Sequence, residues 1–511
     1  MTTITKEELT TRFRSQLIGA GLAVGIVLLY FVLPTRTPPG FLLYSLYTAL
    51  LASLVAAGLI LVYRSARIIN FAQIVFGGAS ATLLYELATR NYLTYWLALP
   101  LALLGGALIG FLVGLLFVIF FFKRPRIVLT VATIVMMQLL GVLQNTLTQK
   151  FHKAGQLDQG LPFPWPCPKR CLVTISHVPF GIPHLVGTLL AVATIAGMAF
   201  FFKKTRIGIA IRGSAENADR ASLLGINTKA VQIGVWMISG LLAALFTTLS
   251  MPVTGYTLGY GTNPRELMLP LAAAVMGRMR SIPQTIMAAV GIVLVRDMIQ
   301  VAYPQWNWFD IMLFFVIVGG LFLQREKSTS RQTEVGTWDS IKEIRVIPRE
   351  LIRMPQISNA RWAGYGLLGA LLLGYPWIAG TSQVGSAHTV FIVGIIGISL
   401  VLLTGWAGQI SLGHYAFVAV GSVSAAFLAS WHWPFLVVLP IAGASGAIVA
   451  ALVGIPALRI RGLYLAVATL AMGVVVPNVL MGPDFLGPHL PKAAINRPKL
   501  SIVNLADGSG R

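Results

Sequence analysis

Two short stretches, Ile69-Asn70-Phe71-Ala72-Gln73-Ile74-Val75-Phe76 and Ile410-Ser411-Leu412-Gly413-His414-Tyr415-Ala416-Phe417, decide how this 511-residue chain folds. Each follows a long apolar run, and each leads into a run rich in Gly, Ala and Ser. Aligned on their first residues, they set Asn70 against Ser411 and Gln73 against His414. Farther on, Val131-Ala132-Thr133-Ile134 matches Val467-Ala468-Thr469-Leu470, each just past a basic cluster with proline nearby. The offset from first element to second is 62 residues in one copy (69 to 131) and 57 in the other (410 to 467). Two ordered matches at similar spacing mark an internal duplication.

The surroundings of the repeat define the class. Hydrophobic residues make up 56% of the chain and charged residues 11%, a balance that no water-exposed surface tolerates. Apolar runs long enough to match a bilayer core recur throughout. The first, Leu17 to Leu33, follows Lys6, Arg12 and Arg14 without a small-residue cleavage site, so it reads as a retained span. Further spans are predicted at Phe41–Tyr63, Ile68–Leu87, Tyr95–Phe122, Ile127–Leu147, His184–Phe202, Val231–Met251, Glu266–Gly277, Ile282–Val301 and Phe309–Leu323. After a polar stretch come Trp362–Ile378, Val390–Leu403, Ile410–Ser430, Phe435–Ala457 and Leu463–Met481. The expectation is an all-α, polytopic transmembrane bundle of about 15 spans. A first module would occupy 1–323, a cytoplasmic linker 324–361, and a second module 362–511.

The excess of 38 basic over 16 acidic residues suggests nucleic acid until the charges are placed. They cluster between apolar spans, as orientation signals do. With the N-terminus in the cytoplasm, about 26 of the basic residues fall inside and about 11 outside. Both copies of the repeat then run the same way through the membrane, which implies a pseudo-two-fold axis along the membrane normal with a pathway between the halves. Cys167 and Cys171, the two cysteines, fall in one external loop, either bonded or as two free thiols. Gly105, Gly106, Gly110 and Gly114 lie on one helix at spacings that favour close packing.

Polar side chains at the start of the repeated segments are costly in hydrocarbon unless they are partnered or line water. Asn70, Gln73, Gln409, Ser411 and His414 are therefore candidate pathway residues, with Thr133, Gln138 and Thr469 behind them. A second reading stands beside this one, in which they cap helix ends or bond between helices. Arg296-Asp297, near a span end, reads as a snorkelling or paired charge. Residues 203–230 form the longest inside loop of the first module. Within it Glu216 to Gly225 reads as a short amphipathic helix, with Ala221 and Leu224 on one side and Gly225 as its stop. An apolar side on such a helix suits either a docking subunit or the protein's own inner surface.

This loop, with Ala215-Glu216-Asn217 and Asp219 followed by Leu223-Leu224-Gly225-Ile226-Asn227, resembles the coupling loop of permeases from branched-chain amino acid ABC importers. Arg67-Ile68-Ile69-Asn70-Phe71-Ala72-Gln73 is similar to the opening motif of one permease of that pair. Gly405-Trp406-Ala407-Gly408-Gln409-Ile410-Ser411-Leu412-Gly413-His414 and the run from Arg459 to Leu470 are similar to the other. The chain thus looks like a fusion of the two permeases. The resemblance implies partner ATPase subunits on the coupling loop, at Glu216, Asn217, Asp219, Ala221, Leu224 and Gly225, and an extracytoplasmic substrate-binding protein. No G-x-x-x-x-G-K-[S/T] phosphate loop occurs, and no cofactor, metal cluster or catalytic set stands out.

Two departures from the family pattern stand out. Gly277-Arg278-Met279-Arg280-Ser281-Ile282-Pro283 replaces a glycine-rich stretch, and the second half shows no counterpart of the coupling loop. That second module is read either as a truncated or split product or as one completed by a further permease chain. The competing function is an ion-coupled secondary carrier. It needs carboxylates in mid-span, whereas the acidic residues fall mostly in loops.

Overall fold

The computed structural model describes residues 27–323 and 355–489. Within these limits 90–91, 123, 125, 152–170, 177, 256–260, 280, 305–307, 379, 407–410, 432, 458–462 and 483–485 are left aside. Cys167, Gln409 and the charged linker 324–354 lie outside the described residues, as does most of the first predicted span, of which 27–32 are helical. The chain divides into two compact units, Met1–Lys327 and Ser328–Arg511.

The first unit contains helices α1 (Pro39–Ala66), α2 (Gln73–Thr89), α3 (Tyr95–Phe121), α4 (Arg126–Phe151) and α5 (Ile182–Lys204). Then come the short α6 (Arg206–Glu216) and α7 (Ala218–Leu223), followed by α8 (Thr228–Thr254), α9 (Pro264–Met276), α10 (Ile282–Ala302) and α11 (Trp308–Leu323). One antiparallel hairpin, β1 (Cys171–Ile175) with β2 (Val178–Gly181), precedes α5. The second unit contains α12 (Pro355–Ile378), α13 (Thr381–Val401), α14 (His414–Ser430), α15 (Phe435–Ala457) and α16 (Leu463–Leu480). Among the described residues, seven helices are long and apolar enough to cross a membrane, and four shorter stretches of helix are predominantly apolar. At a rise of about 1.5 Å per residue, α1, α3 and α8 each span more than a hydrocarbon core. The chain is an all-α polytopic membrane bundle.

Helix α8 is the hub of the first unit, packed along α1, α2 and α3. Lipid tails are as apolar as leucine, so helices in a bilayer associate through close approach instead of hydrophobic drive. The predicted glycine stripe on α3 supplies that approach. A Cβ on Gly110 would land on the Trp236 carbonyl of α8, and one on Gly114 would meet the Trp236 side chain at 2.7 Å. Gly240 of α8 meets the same stripe from the other side, where its own Cβ would strike the Gly106 carbonyl. Trp236, fully buried, fills the space beside this seam, 4.8 Å from Phe117 and 6.3 Å from Phe76 between ring centres. Tyr47 of α1 ties the opposite end of α8 by donating to the Leu249 carbonyl at 2.6 Å.

In the second unit α14 packs against α15 and α16. Gly413 and Gly473 touch there, with a Cβ on Gly473 only 2.9 Å from the Gly413 Cα.

Sequence spans and helices agree to within a few residues in the first unit. In the second, α12 begins at Pro355, inside the predicted linker 324–361, and α13 begins at Thr381, nine residues ahead of the predicted span, because polar residues open both helices. The two repeated segments differ in the opposite sense. There the apolar runs begin at Ile68 and Ile410, but the helices begin at Gln73 and His414. The same alignment column starts both helices, and both are 17 residues long. In the first copy Ile68, Ile69, Phe71 and Ala72 are apolar because they are buried, not because they are helical.

Gly110→Val should force α3 and α8 apart and lower stability in detergent by about 1–3 kcal/mol. Gly197 of α5 has open space around its Cβ position, so Gly197→Ala should be neutral or slightly stabilising. Thermal unfolding of the two variants side by side checks the pair.

Candidate functional site

The site begins where α1 ends. Arg67 adopts a left-handed conformation (φ 56°) and its N–H closes the helix on the Tyr63 carbonyl. Residues 68–72 then run without helical hydrogen bonds until α2 starts at Gln73. A backbone group left open in hydrocarbon costs several kcal/mol, so each must find a partner within the protein. The Phe71 N–H donates to Thr133 Oγ1 of α4 at 3.2 Å. Thr133 passes its own proton to the Thr130 carbonyl one turn back, at 2.7 Å. The Ala72 N–H donates to Asn70 Oδ1 at 3.1 Å, a local turn that side chains of this type favour.

Gln73 completes the seat. Its Oε1 accepts from Asn70 Nδ2 at 3.0 Å and from the Ser239 hydroxyl of α8 at 2.6 Å. Its Nε2 donates to the Ser239 carbonyl at 2.9 Å. Asn70, Gln73, Thr133 and Ser239 have no exposed surface at all. Their polar groups bond to one another and to backbone groups across α2, α4 and α8.

The second unit repeats the arrangement. The Leu412 N–H donates to Thr469 Oγ1 of α16 at 3.1 Å, and the Thr469 hydroxyl donates to the Ala466 carbonyl three residues back at 3.1 Å. The Gly413 N–H donates to Ser411 Oγ at 3.3 Å, as Ala72 does to Asn70. His414 stands where Gln73 stands, its ring 5.9 Å from Phe417. Its Nδ1 is buried and has no hydrogen-bond partner among the described residues. No helix in the described part of this unit supplies what Ser239 of α8 supplies in the first. Gln138 is exposed on α4, away from this network.

The basic end of the first unit carries the predicted coupling loop, which forms two helices in place of one. Asn217 leaves α6 with an extended backbone and caps α7 by accepting from the Arg220 N–H at 2.9 Å. Glu216 therefore ends α6, Asp219 lies in the first turn of α7, and Gly225 (φ 82°) turns the chain toward α8. Ala221 is buried, whereas Leu223 and Leu224 are 87% and 82% exposed. The expected shared side of Ala221 and Leu224 is thus split: alanine packs inward and two leucines project. Arg67 joins this loop to the site, donating from Nη2 to the Ala215 carbonyl at 3.1 Å.

Sequence reading missed a charged cluster at the start of α9. Arg265 grips Asp310 of α11 with two bonds, Nη2 to Oδ2 at 3.0 Å and Nε to Oδ1 at 3.1 Å. Beside it Glu266 accepts from the Gly261 N–H at 2.5 Å. The available signal was an acidic residue two positions into the apolar run of α11 and Pro264-Arg265-Glu266 opening a predicted span. The other charged pair was read as it stands: Arg296 Nε bonds Asp297 at 2.5 Å, and Ser45 donates to the same carboxylate.

Comparison with known proteins converges on one family. The family model described as "Branched-chain amino acid transport system / permease component" matches residues 41–321 and 383–482, which include both copies of the broken helix. The high-affinity branched-chain amino acid transport system permease protein LivM of Escherichia coli (strain K12) is 35% identical over 112 residues, 22% of this chain and 26% of LivM. LivM of Salmonella typhimurium is 33% identical over 132 residues, 25% of this chain and 31% of that protein. The probable branched-chain amino acid transport permease protein LivH of Methanocaldococcus jannaschii is 24% identical over 250 residues, 46% of this chain and 73% of LivH. The chain thus spans between a quarter and a third of the two LivM proteins. No solved structure matches it. A multi-pass helical bundle with a duplicated broken helix, matched over most of its length by one family model, belongs to the permease-component family of branched-chain amino acid transport systems.

Proposed function

We propose that this chain is the transmembrane permease subunit of an ABC importer for branched-chain or related amino acids in the plasma membrane. Its N-terminus is cytoplasmic. Separate ATPase subunits hydrolyse ATP, and an extracytoplasmic binding protein delivers the cargo. The two units act as permease modules, and the broken helices α2 and α14 border the pathway, with Asn70, Gln73, Ser411 and His414 seating their starts. Gln409 belongs to the same set by sequence.

The observation that carries the reading is the pair of bare leucines at the end of α7. Leu223 ends a six-residue helix capped by Asn217, and Leu224 follows it as the C-cap; both side chains project at the basic end of the first unit. Leucines left in water lose about 1.5–3 kcal/mol each relative to burial, so a docked partner is the economical explanation. Arg67 supports a route from that partner to the pathway. It touches the loop that ends in α7 and is also the first residue of the segment leading to Gln73. ATP binding would bias the position of the loop, and the Arg67 contact would carry that bias to the broken start of α2.

Two experiments follow, each on the chain co-expressed with the two ATPases and binding protein that should be encoded beside it. Leu223→Asp with Leu224→Asp should abolish ATPase co-purification and uptake while the protein stays folded in the membrane. Normal association would remove the docking claim. Arg67→Ala should leave the ATPases bound but cut leucine uptake about tenfold, so that ATP is hydrolysed without transport. Uptake and hydrolysis falling together would assign Arg67 to docking and not to transmission.

A further inference from the structure

Helix α9 is short, and its first turn is held from two sides. Asn263 caps it, its side chain accepting from the Arg265 N–H at 2.9 Å and its carbonyl from the Glu266 N–H at 3.1 Å. Arg265 then reaches across to α11 and takes both oxygens of Asp310. Asp310 is 3% exposed and the Arg265 side chain 46%, so the carboxylate is sealed while the guanidinium faces outward. A two-bond fork of this kind fixes orientation as well as distance. Glu266, the next residue, turns the other way and holds the Gly261 N–H at 2.5 Å.

Gly261 is the contact that matters for the broken helix. Its φ is 90°, and a Cβ there would lie 2.8 Å from the carbonyl carbon of Ile74 and from the amide nitrogen of Val75. Its backbone therefore rests directly on the first turn of α2, one residue beyond Gln73. A continuous series of contacts runs from Asp310 through Arg265, Glu266 and Gly261 to the start of α2. From there Gln73 and Ser239 carry it into α8.

In this ion pair one partner is sealed and the other half-exposed. Such a pair is a poor source of net stability, because desolvation of the carboxylate and solvent screening of the guanidinium cancel much of its attraction. Its directional grip is a better reason for its place. We propose that Arg265 and Asp310 are a positioning pair: they latch the opening turn of α9 to α11 and so hold Gly261 against the broken start of α2. The role of the latch in transport rests on the pathway reading above, but its existence does not.

The test uses the full chain in detergent with Cys167 and Cys171 replaced by serine and Thr262→Cys as the reporter, labelled with a polar maleimide. Thr262 is half-buried between Gly261 and the cap residue Asn263, so its reactivity reads the freedom of this turn. Removing both charges with Arg265→Gln and Asp310→Asn avoids stranding a buried charge. That variant should label about tenfold faster at an unchanged unfolding temperature. The swapped pair, Arg265→Asp with Asp310→Arg, should return labelling to within about twofold of the parent. Labelling indifferent to the charge-free pair, or a swap that labels as fast as it, overturns the latch. Leucine uptake with the partner subunits is measured in parallel. Its maximal rate should fall in the charge-free variant and recover in the swap, with KM unmoved. Absence of uptake in the parent would count against the importer reading alone, since labelling needs neither cargo nor partner.

Discussion

A backbone N–H released from a helix inside hydrocarbon has no water to turn to, and this chain twice answers the problem with a threonine hydroxyl from a neighbouring helix. Thr133 receives Phe71, and Thr469 receives Leu412, in the same geometry and at nearly the same distance. Threonine suits the task because its hydroxyl can accept the foreign N–H while donating to a carbonyl one turn back on its own helix. Each clasp holds a short non-helical segment, 68–72 or 411–413, ahead of a helix that starts only at Gln73 or His414. Everything proposed about the pathway depends on those late starts.

Around the first clasp the remaining parts fall into order. Ser239 and the glycine seam bring α8 close enough for Gln73 to reach it. Arg67 connects the segment to the loop at the basic end, and Gly261 presses on it from the side of α9. The broken start is therefore the point where three elements with separate ends in the bundle meet. In the second unit the clasp is present, and among the described residues His414 Nδ1 has no counterpart of the partner that Gln73 finds in Ser239.

Much of this was legible in the sequence because it rests on local pattern. Apolar length located the spans, and the duplication paired Asn70 with Ser411 and Thr133 with Thr469 before any geometry was known. The helix starts were misplaced by a few residues because hydropathy reports burial, and an extended buried segment is as apolar as a helix. Asn217 was read through as part of one helix because a cap and an interior asparagine look alike without backbone angles. The partners of Ser239 and Arg265 escaped for another reason, although charged residues at two span starts flagged the second. Those partners lie 166 and 45 residues away, which no periodicity records. The same holds for the charges at Asp310, whose depth in the protein could not be read from its place near the end of a span.

The central claim is that both late helix starts are held by the same hydroxyl clasp, and thermal unfolding of Thr133→Val and Thr469→Val tests it most directly. Valine keeps the shape and removes the hydroxyl, stranding a buried N–H in each case. Both variants should lose about 1–3 kcal/mol, while Thr133→Ser and Thr469→Ser, which keep the hydroxyl, should lose clearly less. Valine variants as stable as the parent, or serine variants as damaged as the valine ones, would contradict the account.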